Sequence, residues 1–310
     1  MILGDTSADD FLQRYWQREP LLIRRALSDY QSPISADELA GLALEQEVES
    51  RLVEGGSRDW SLRHGPFTEQ DFVDLPEQDW TLLVQAVDLW VPEVRQLLNR
   101  FDFLPSWRVD DVMVSFACPG GSVGPHFDQY DVFLLQVEGE RRWQIGDQCS
   151  SATPLQRDSP LRVLESFTPH SDWLLEPGDM LYLPPGTAHW GVAQSECLTF
   201  SIGFRSPSIA DMLGDLAVEL MTQGYDAHYR DPPLRPAMGS EIIAPQFIEQ
   251  AKQQLWQAIN DEDLIGDWFA RFMTTAKYPE LEELTEEQRH ASLRGRRYFN
   301  GDAVDDVFDF

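Results

Sequence analysis

The chain has 310 residues, 42% hydrophobic and 25% charged; it holds no apolar run long enough to span a bilayer, and its start, MILGDTSADDF, carries neither a basic nor an apolar leader segment, so a globular protein without a membrane span or secretory signal is expected. Its three cysteines, Cys118, Cys149 and Cys197, form no CxxC pair, which fits a reducing cytoplasmic setting and speaks against a disulfide framework or a zinc knuckle. A net charge of −29, from 53 acidic and 24 basic residues, disfavours direct nucleic-acid binding and would draw a basic partner, unless it serves solubility alone.

In chain order, Ser7 caps a first predicted helix in which Phe11, Leu12, Tyr15 and Trp16 share a face, closed by Glu19-Pro20. Leu21-Leu22-Ile23 is a short strand candidate. Ser35-Ala-Asp-Glu38 has the capping-box pattern and leads a second helix through Leu39, Leu42 and Ala43. Trp80 to Leu98 reads as a further helix broken at Pro92.

From about 105 to 205 the pattern changes to short runs rich in Val, Phe, Leu, Ile and Trp. They are Val112–Ala117, Val132–Val137, Arg142–Ile145, Asp172–Leu175, Met180–Leu183 and Leu198–Phe204, separated by turns such as Pro119-Gly-Gly and Glu176-Pro-Gly-Asp179. Strands at this spacing predict an antiparallel sandwich or barrel. After Arg205 the period becomes helical. Ile209, Met212, Leu213, Leu216, Ala217 and Leu220 make one apolar face, and further helices begin near Pro245 and near Leu264. These helices need a surface to bury against, either the barrel or a second copy of the chain. Residues 225–240 read as a Pro-rich loop, and the charged segment after Tyr278 as a short tail or incomplete module.

The chemistry gathers at two places. Gly124-Pro125-His126-Phe127-Asp128 runs straight into the apolar strand Val132–Val137, and residues two apart in extended chain point the same way, so His126 and Asp128 share a face. About 60 residues later, Pro184-Pro-Gly186-Thr-Ala-His189 sets a second histidine just before another strand. An antiparallel barrel can return that histidine to the same mouth. Two imidazoles and one carboxylate leave open coordination positions, the arrangement of non-haem Fe(II) oxygenases. A 2-oxoglutarate co-substrate would leave its distal carboxylate needing a cation inside the barrel, and Arg141 and Arg142 alternate faces on the next strand, so one of them points inward. Ser115 and Thr199 offer hydroxyls on inward-alternating positions of neighbouring strands. Each piece alone has a plainer reading: hydrogen-bonded structural histidines, or a surface cation–π cluster of arginine with Trp143. Tyr130 and Asp131 line a substrate mouth or are merely solvated, and His64, His170, His228 and His290 lack comparable neighbours.

The stretches "PHFDQYDVFLLQVEGERRWQIG", "LEPGDMLYLPPGTAHWG" and "FSIGFRSP" resemble the JmjC-type 2-oxoglutarate oxygenases. More narrowly, together with "FLQRYWQREPLLIRRAL", "PISADELAGLALEQEVESRLV" and "LLVQAVDLW", they are similar to the bacterial arginine hydroxylases of large-subunit ribosomal protein L-sixteen, over about residues 10–275. The resemblance implies a mainly β fold with α, a double-stranded β-helix (cupin/JmjC jelly roll) with helical extensions at both ends. It implies an oxygenase domain over 1–205 and a helical dimerisation region over 206–277. Residues 278–310 would be a short tail or a truncated winged-helix module. It implies His126, Asp128 and His189 as ligands of Fe(II), and Arg141 as the partner of the 2-oxoglutarate carboxylate, with O2 as the third reactant. A cytoplasmic homodimer acting on a basic ribosomal protein of the large subunit follows. The alternatives are the same chemistry on a histidine of another ribosomal protein, or a non-catalytic metal-binding cupin module.

Overall fold

The computed structural model describes residues 2–55, 59–234, 241–284 and 290–304. Two compact units divide the chain, Met1–Ser206 and Pro207–Phe310.

The first unit is built on eleven strands: β1 (Leu21–Ile23), β2 (Ser50–Glu54), β3 (Ser61–His64), β4 (Trp80–Val84), β5 (Val109–Ala117), β6 (Val132–Glu138), β7 (Arg141–Gln148), β8 (Ser171–Leu175), β9 (Met180–Leu183), β10 (Thr187–Ala193) and β11 (Cys197–Phe204). Eight of them form one antiparallel sheet in the order β1-β9-β6-β11-β5-β4-β2-β3; the other three form a second sheet, β10-β7-β8. Large antiparallel sheet and helical flanks agree with the expected architecture.

Side-chain alternation explains the layering. Phe133, Leu135 and Val137 of β6, with Phe200 and Ile202 of β11, join a core under the N-terminal helices that includes Phe11, Leu39 and Phe101. The intervening Val132 and Leu134 turn the other way and pack on Trp143, Ile145 and Leu175 of the smaller sheet. Because the period is two, Gln136 continues the second row, and Ser115 and Thr199 face the same interior from the paired strands β5 and β11. Every residue of β11 is buried, as a central strand covered on both faces requires.

The first helix, Ala8–Arg14, is capped by Ser7, and the second, Ala36–Leu42, carries the full capping box between Ser35 and Glu38. The helix expected from Trp80 is corrected. Residues 80–84 are strand β4, paired to β5 and β2, and helix begins only at Val87–Trp90 and Pro92–Leu97. Thr81-Leu82-Leu83-Val84 is a short apolar run that a strand buried on both faces and a buried helix both tolerate, so long-range pairing decides.

In the second unit, helices Ile209–Thr222, Pro245–Ile259 and Glu262–Thr274 stand where the helical periodicity was read. Trp268 Nε1 donates to Asp215 at 2.7 Å and Arg271 pairs with Glu219, linking the first helix to the third. Residues 225–234 lack regular structure; the remainder of the expected loop, 235–240, lies outside the described residues. Within the expected tail, His290–Leu293, Arg296–Phe299 and Asp302–Val304 form a three-stranded antiparallel sheet that the sequence pattern does not announce; residues 305–310 lie outside the described residues. Among the described residues, no helix is long and apolar enough to cross a membrane.

Candidate metal centre

His126, Asp128 and His189 meet at one point, with one potential ligand atom from each lying within 4.8 Å of the others. The His126 and His189 Nε2 atoms stand 3.9 and 3.7 Å from Asp128 Oδ2. Backbone pairing brings them together. His126 N–H donates to the His189 carbonyl at 3.0 Å and His189 N–H to the His126 carbonyl at 2.8 Å, so the two histidines occupy one antiparallel rung. His189 lies inside β10 rather than just before a strand, and Asp128 is held by Gly186 N–H, which donates to its carbonyl at 2.6 Å.

The imidazoles are oriented from behind. His126 Nδ1 lies 2.9 Å from the Gly124 carbonyl and His189 Nδ1 2.9 Å from the Thr187 carbonyl. A carbonyl only accepts, so each Nδ1 carries the proton and each Nε2 presents a lone pair toward Asp128. Burial, reinforced by the neighbouring His126, pushes the His189 imidazole down to about 4, which keeps it neutral. Two imidazoles and a carboxylate suit a divalent transition metal, and the donor set fits Fe(II).

Of the two arginines, Arg141 is the inward one and only 3% exposed, whereas Arg142 lies at the surface with its Nε 3.2 Å from Asp172. The Arg141 guanidinium lies over the Trp143 ring, 5.1 Å from its centroid, and the same indole approaches His189 at 5.8 Å between ring centroids. Arg141 Nη1 is 3.5 Å from Ser115 Oγ, and Ser115 Oγ is 3.4 Å from the Thr199 carbonyl. Thr199 Oγ1 donates to Gln136 Oε1 at 3.0 Å. Arg141, Ser115 and Thr199 therefore line one interior. Gln136 and Trp143 complete it; the sequence reading places Trp143 in a surface cation–π cluster, whereas the stack is buried, and it passes over Gln136, a lone polar residue in the run VFLLQV.

This interior is electrostatically unfinished. Among the described residues no salt bridge is formed by Arg141, its Nε has no hydrogen-bond partner, and burial lowers the pKa of the guanidinium. A guanidinium keeps its proton even so, and an unpaired buried charge costs several kcal/mol unless an anion meets it. A carboxylate reaching it would supply that anion. The orphaned Nε is the observation that makes these residues fit 2-oxoglutarate.

Asp131 requires a correction. It neither lines a mouth nor is solvated: it is fully buried, accepting from Tyr182 Oη at 2.6 Å and Gln17 Nε2 at 3.1 Å, with Arg108 at 3.4 Å. Desolvation raises its pKa despite these donors. Tyr130 stays 42% exposed. His170 is taken up by Gly146 and Ser171 in the second sheet.

Comparison with known proteins gives the family and fold. The JmjC domain family matches residues 96–212. The ribosomal protein uL16 3-hydroxylase of Escherichia coli (strain K12) is 39% identical over 270 residues, covering 87% of this chain and 72% of that protein. A probable ribosomal oxygenase of Haemophilus influenzae is 37% identical over 273 residues, covering 86% and 67%. The structure of the Escherichia coli ribosomal oxygenase YcfD in complex with cobalt and 2-oxoglutarate superposes with a TM-score of 0.84 at 34% identity, covering 98% of this chain and 87% of that one.

Proposed function

The chain belongs to the JmjC-domain ribosomal oxygenases, and on that premise we propose that it hydroxylates C3 of an arginine side chain in a basic protein of the large ribosomal subunit, using Fe(II), 2-oxoglutarate and O2. The single observation that carries the reading is Arg141: a buried guanidinium that forms no salt bridge among the described residues, one indole away from a two-histidine, one-carboxylate cluster.

His126 and His189 would hold the metal through Nε2 and Asp128 through its carboxylate, leaving the remaining positions to co-substrates. When bound, Fe(II) with 2-oxoglutarate and O2 supplies the oxidising chemistry: the keto acid becomes succinate and CO2, taking one oxygen atom, and the other enters the substrate C–H bond. Arg141 binds the distal carboxylate, with the Ser115 and Thr199 hydroxyls beside it. Trp143 fixes the plane of the guanidinium and walls off water behind His189. The protein's share is positioning and the exclusion of competing reactions.

A cationic substrate suits the rim. Desolvation, then the charges of Asp128 and Asp111, push the Tyr130 phenol upward; Arg51 opposes them and Asp110 adds a smaller push, so carboxylates outnumber the one arginine acting on this ring beside the centre. The net charge of −29 extends that field over the chain and would attract a basic protein made in the same cytoplasm. In the second unit the apolar face read from sequence buries only Leu216 of its helix, while Ile209 and Leu213 stay exposed, as do Leu255 and Trp256 of the next helix. Such a surface suits a second copy of the chain, and a homodimer is part of the proposal.

Incubating ribosomal proteins with this chain, Fe(II) and 2-oxoglutarate and mapping peptides by tandem mass spectrometry tests the assignment. One added oxygen on an arginine of a large-subunit protein is expected. Addition to a histidine would correct the target residue, and no iron-dependent addition anywhere would overturn the proposal.

A further inference from the structure

We propose that Ser122 is a positioning residue of this centre, aligning His126 against β10 through a single buried hydroxyl; the inference rests on the reading that His126, Asp128 and His189 hold the metal.

One edge of β10 shows why a serine is needed there. Positions 189, 191 and 193 point their backbone groups to the same side of the strand. At 193 the partner is backbone: Gly120 N–H donates to the Ala193 carbonyl at 2.9 Å, and Ala193 N–H to the Gly121 carbonyl at 3.0 Å. At 189 it is backbone again, the His126–His189 rung. At 191, between them, the approaching chain bulges away, and Ser122 Oγ donates to the Gly191 carbonyl at 2.7 Å. A side chain thus stands in for the missing rung.

The same oxygen accepts from Gly124 N–H at 3.1 Å and from Trp190 Nε1 at 2.9 Å. A hydroxyl has one hydrogen and two lone pairs, so all of its capacity is in use at a residue only 3% exposed. Gly124 is the link to the metal. It sits in the left-handed region at φ 77°, and its carbonyl is the one that orients His126 Nδ1. The relay runs from β10 through Ser122 to Gly124 and from there to the imidazole. Space holds it from the other side: a Cβ on Gly124 would come within 2.9 Å of Val163 and 3.0 Å of Trp60. Hydrogen-bond partners of this kind behind a ligating histidine change metal affinity by about 10–100-fold.

Ser122→Ala strips a partner from Gly124 N–H, Trp190 Nε1 and the Gly191 carbonyl together. The measurement is Co(II) titration of the metal-free full chain, read by visible absorption, beside thermal unfolding. Ser122→Ala is expected to weaken Co(II) binding about tenfold and alter the band shape. Trp190→Phe, which removes one of the three bonds, should have a smaller effect. Val94→Ala, a fully buried core position in the helix Pro92–Leu97, should lower the unfolding temperature and leave the Co(II) constant within about twofold. Wild-type Co(II) affinity and spectrum in Ser122→Ala would overturn the proposal, as would equal weakening in Val94→Ala. His126→Ala separates the two levels: if it too binds Co(II) like wild type, the metal assignment itself fails, whereas loss there with no change in Ser122→Ala removes only the role of Ser122.

Discussion

A buried arginine is an odd thing to keep, and Arg141 shows at the scale of one residue how function and stability part company. Without a carboxylate opposite it, the charge costs the fold; with one, it grips. Arg141→Met keeps the length and removes the charge. It should raise the unfolding temperature of the ligand-free protein, abolish the further rise that 2-oxoglutarate gives the wild type, and increase the KM for 2-oxoglutarate by about a hundredfold or more, as removal of a desolvated charge partner worth about 3 kcal/mol requires. Differential scanning fluorimetry with and without 2-oxoglutarate reads the first two. Gly191 is the neighbouring test. A Cβ there would fall 2.6 Å from two Trp143 ring atoms and 2.9 Å from Arg141 Nε. Gly191→Ala should therefore displace the guanidinium, raising the 2-oxoglutarate KM about tenfold at a stability cost of about 1–3 kcal/mol. An unchanged KM would mean that the Trp143–Arg141 stack is not what sets co-substrate binding. The meeting of His126, Asp128 and His189 was legible because each sits at a strand or turn whose spacing declares itself, and Arg141 because alternation allows one inward arginine. Ser122 was not legible, because its partner Gly191 lies 69 residues along the chain and leaves no local pattern; the arginine–Trp143 stack was legible from spacing, but not its burial.

At the scale of elements, Asp131 joins the N-terminal segment to the strand that follows the His126/Asp128 turn. Three donors converge on it, from Tyr182, Gln17 and Arg108. Asn has one acceptor oxygen and an amide that would face donors, so Asp131→Asn should lose about 2 kcal/mol or more in chemical denaturation. A loss below about 0.5 kcal/mol would show that the network is dispensable. The second unit carries its own test: Trp256→Glu should convert a dimer to a monomer in sedimentation experiments, and a wild-type monomer would remove that part of the proposal. Strand β4 marks the limit of local reading. Trp80–Val84 has too few residues for its period to separate helix from strand, and only its neighbours β5 and β2 decide. The last three strands escaped for the same reason, being three or four residues each in a charged segment.

Over the whole molecule, charge outweighs every other surface property. If the acidic field gathers a basic substrate, kcat/KM for a large-subunit ribosomal protein should fall steeply between about 10 and 200 mM salt, while KM for 2-oxoglutarate, governed by a buried pair, should hardly move. Equal sensitivity of the two would deny the field a role in substrate encounter. The histidine rung has a consequence of another kind. Main-chain pairing sets the separation of the His126 and His189 backbones. If these side chains hold a metal, two imidazoles and a carboxylate would bind first-row dications in the ordinary order of affinity, in which copper and nickel outrank iron. Iron occupancy in the cell would then depend on supply, and mismetallation would be the fault to which such a centre is exposed.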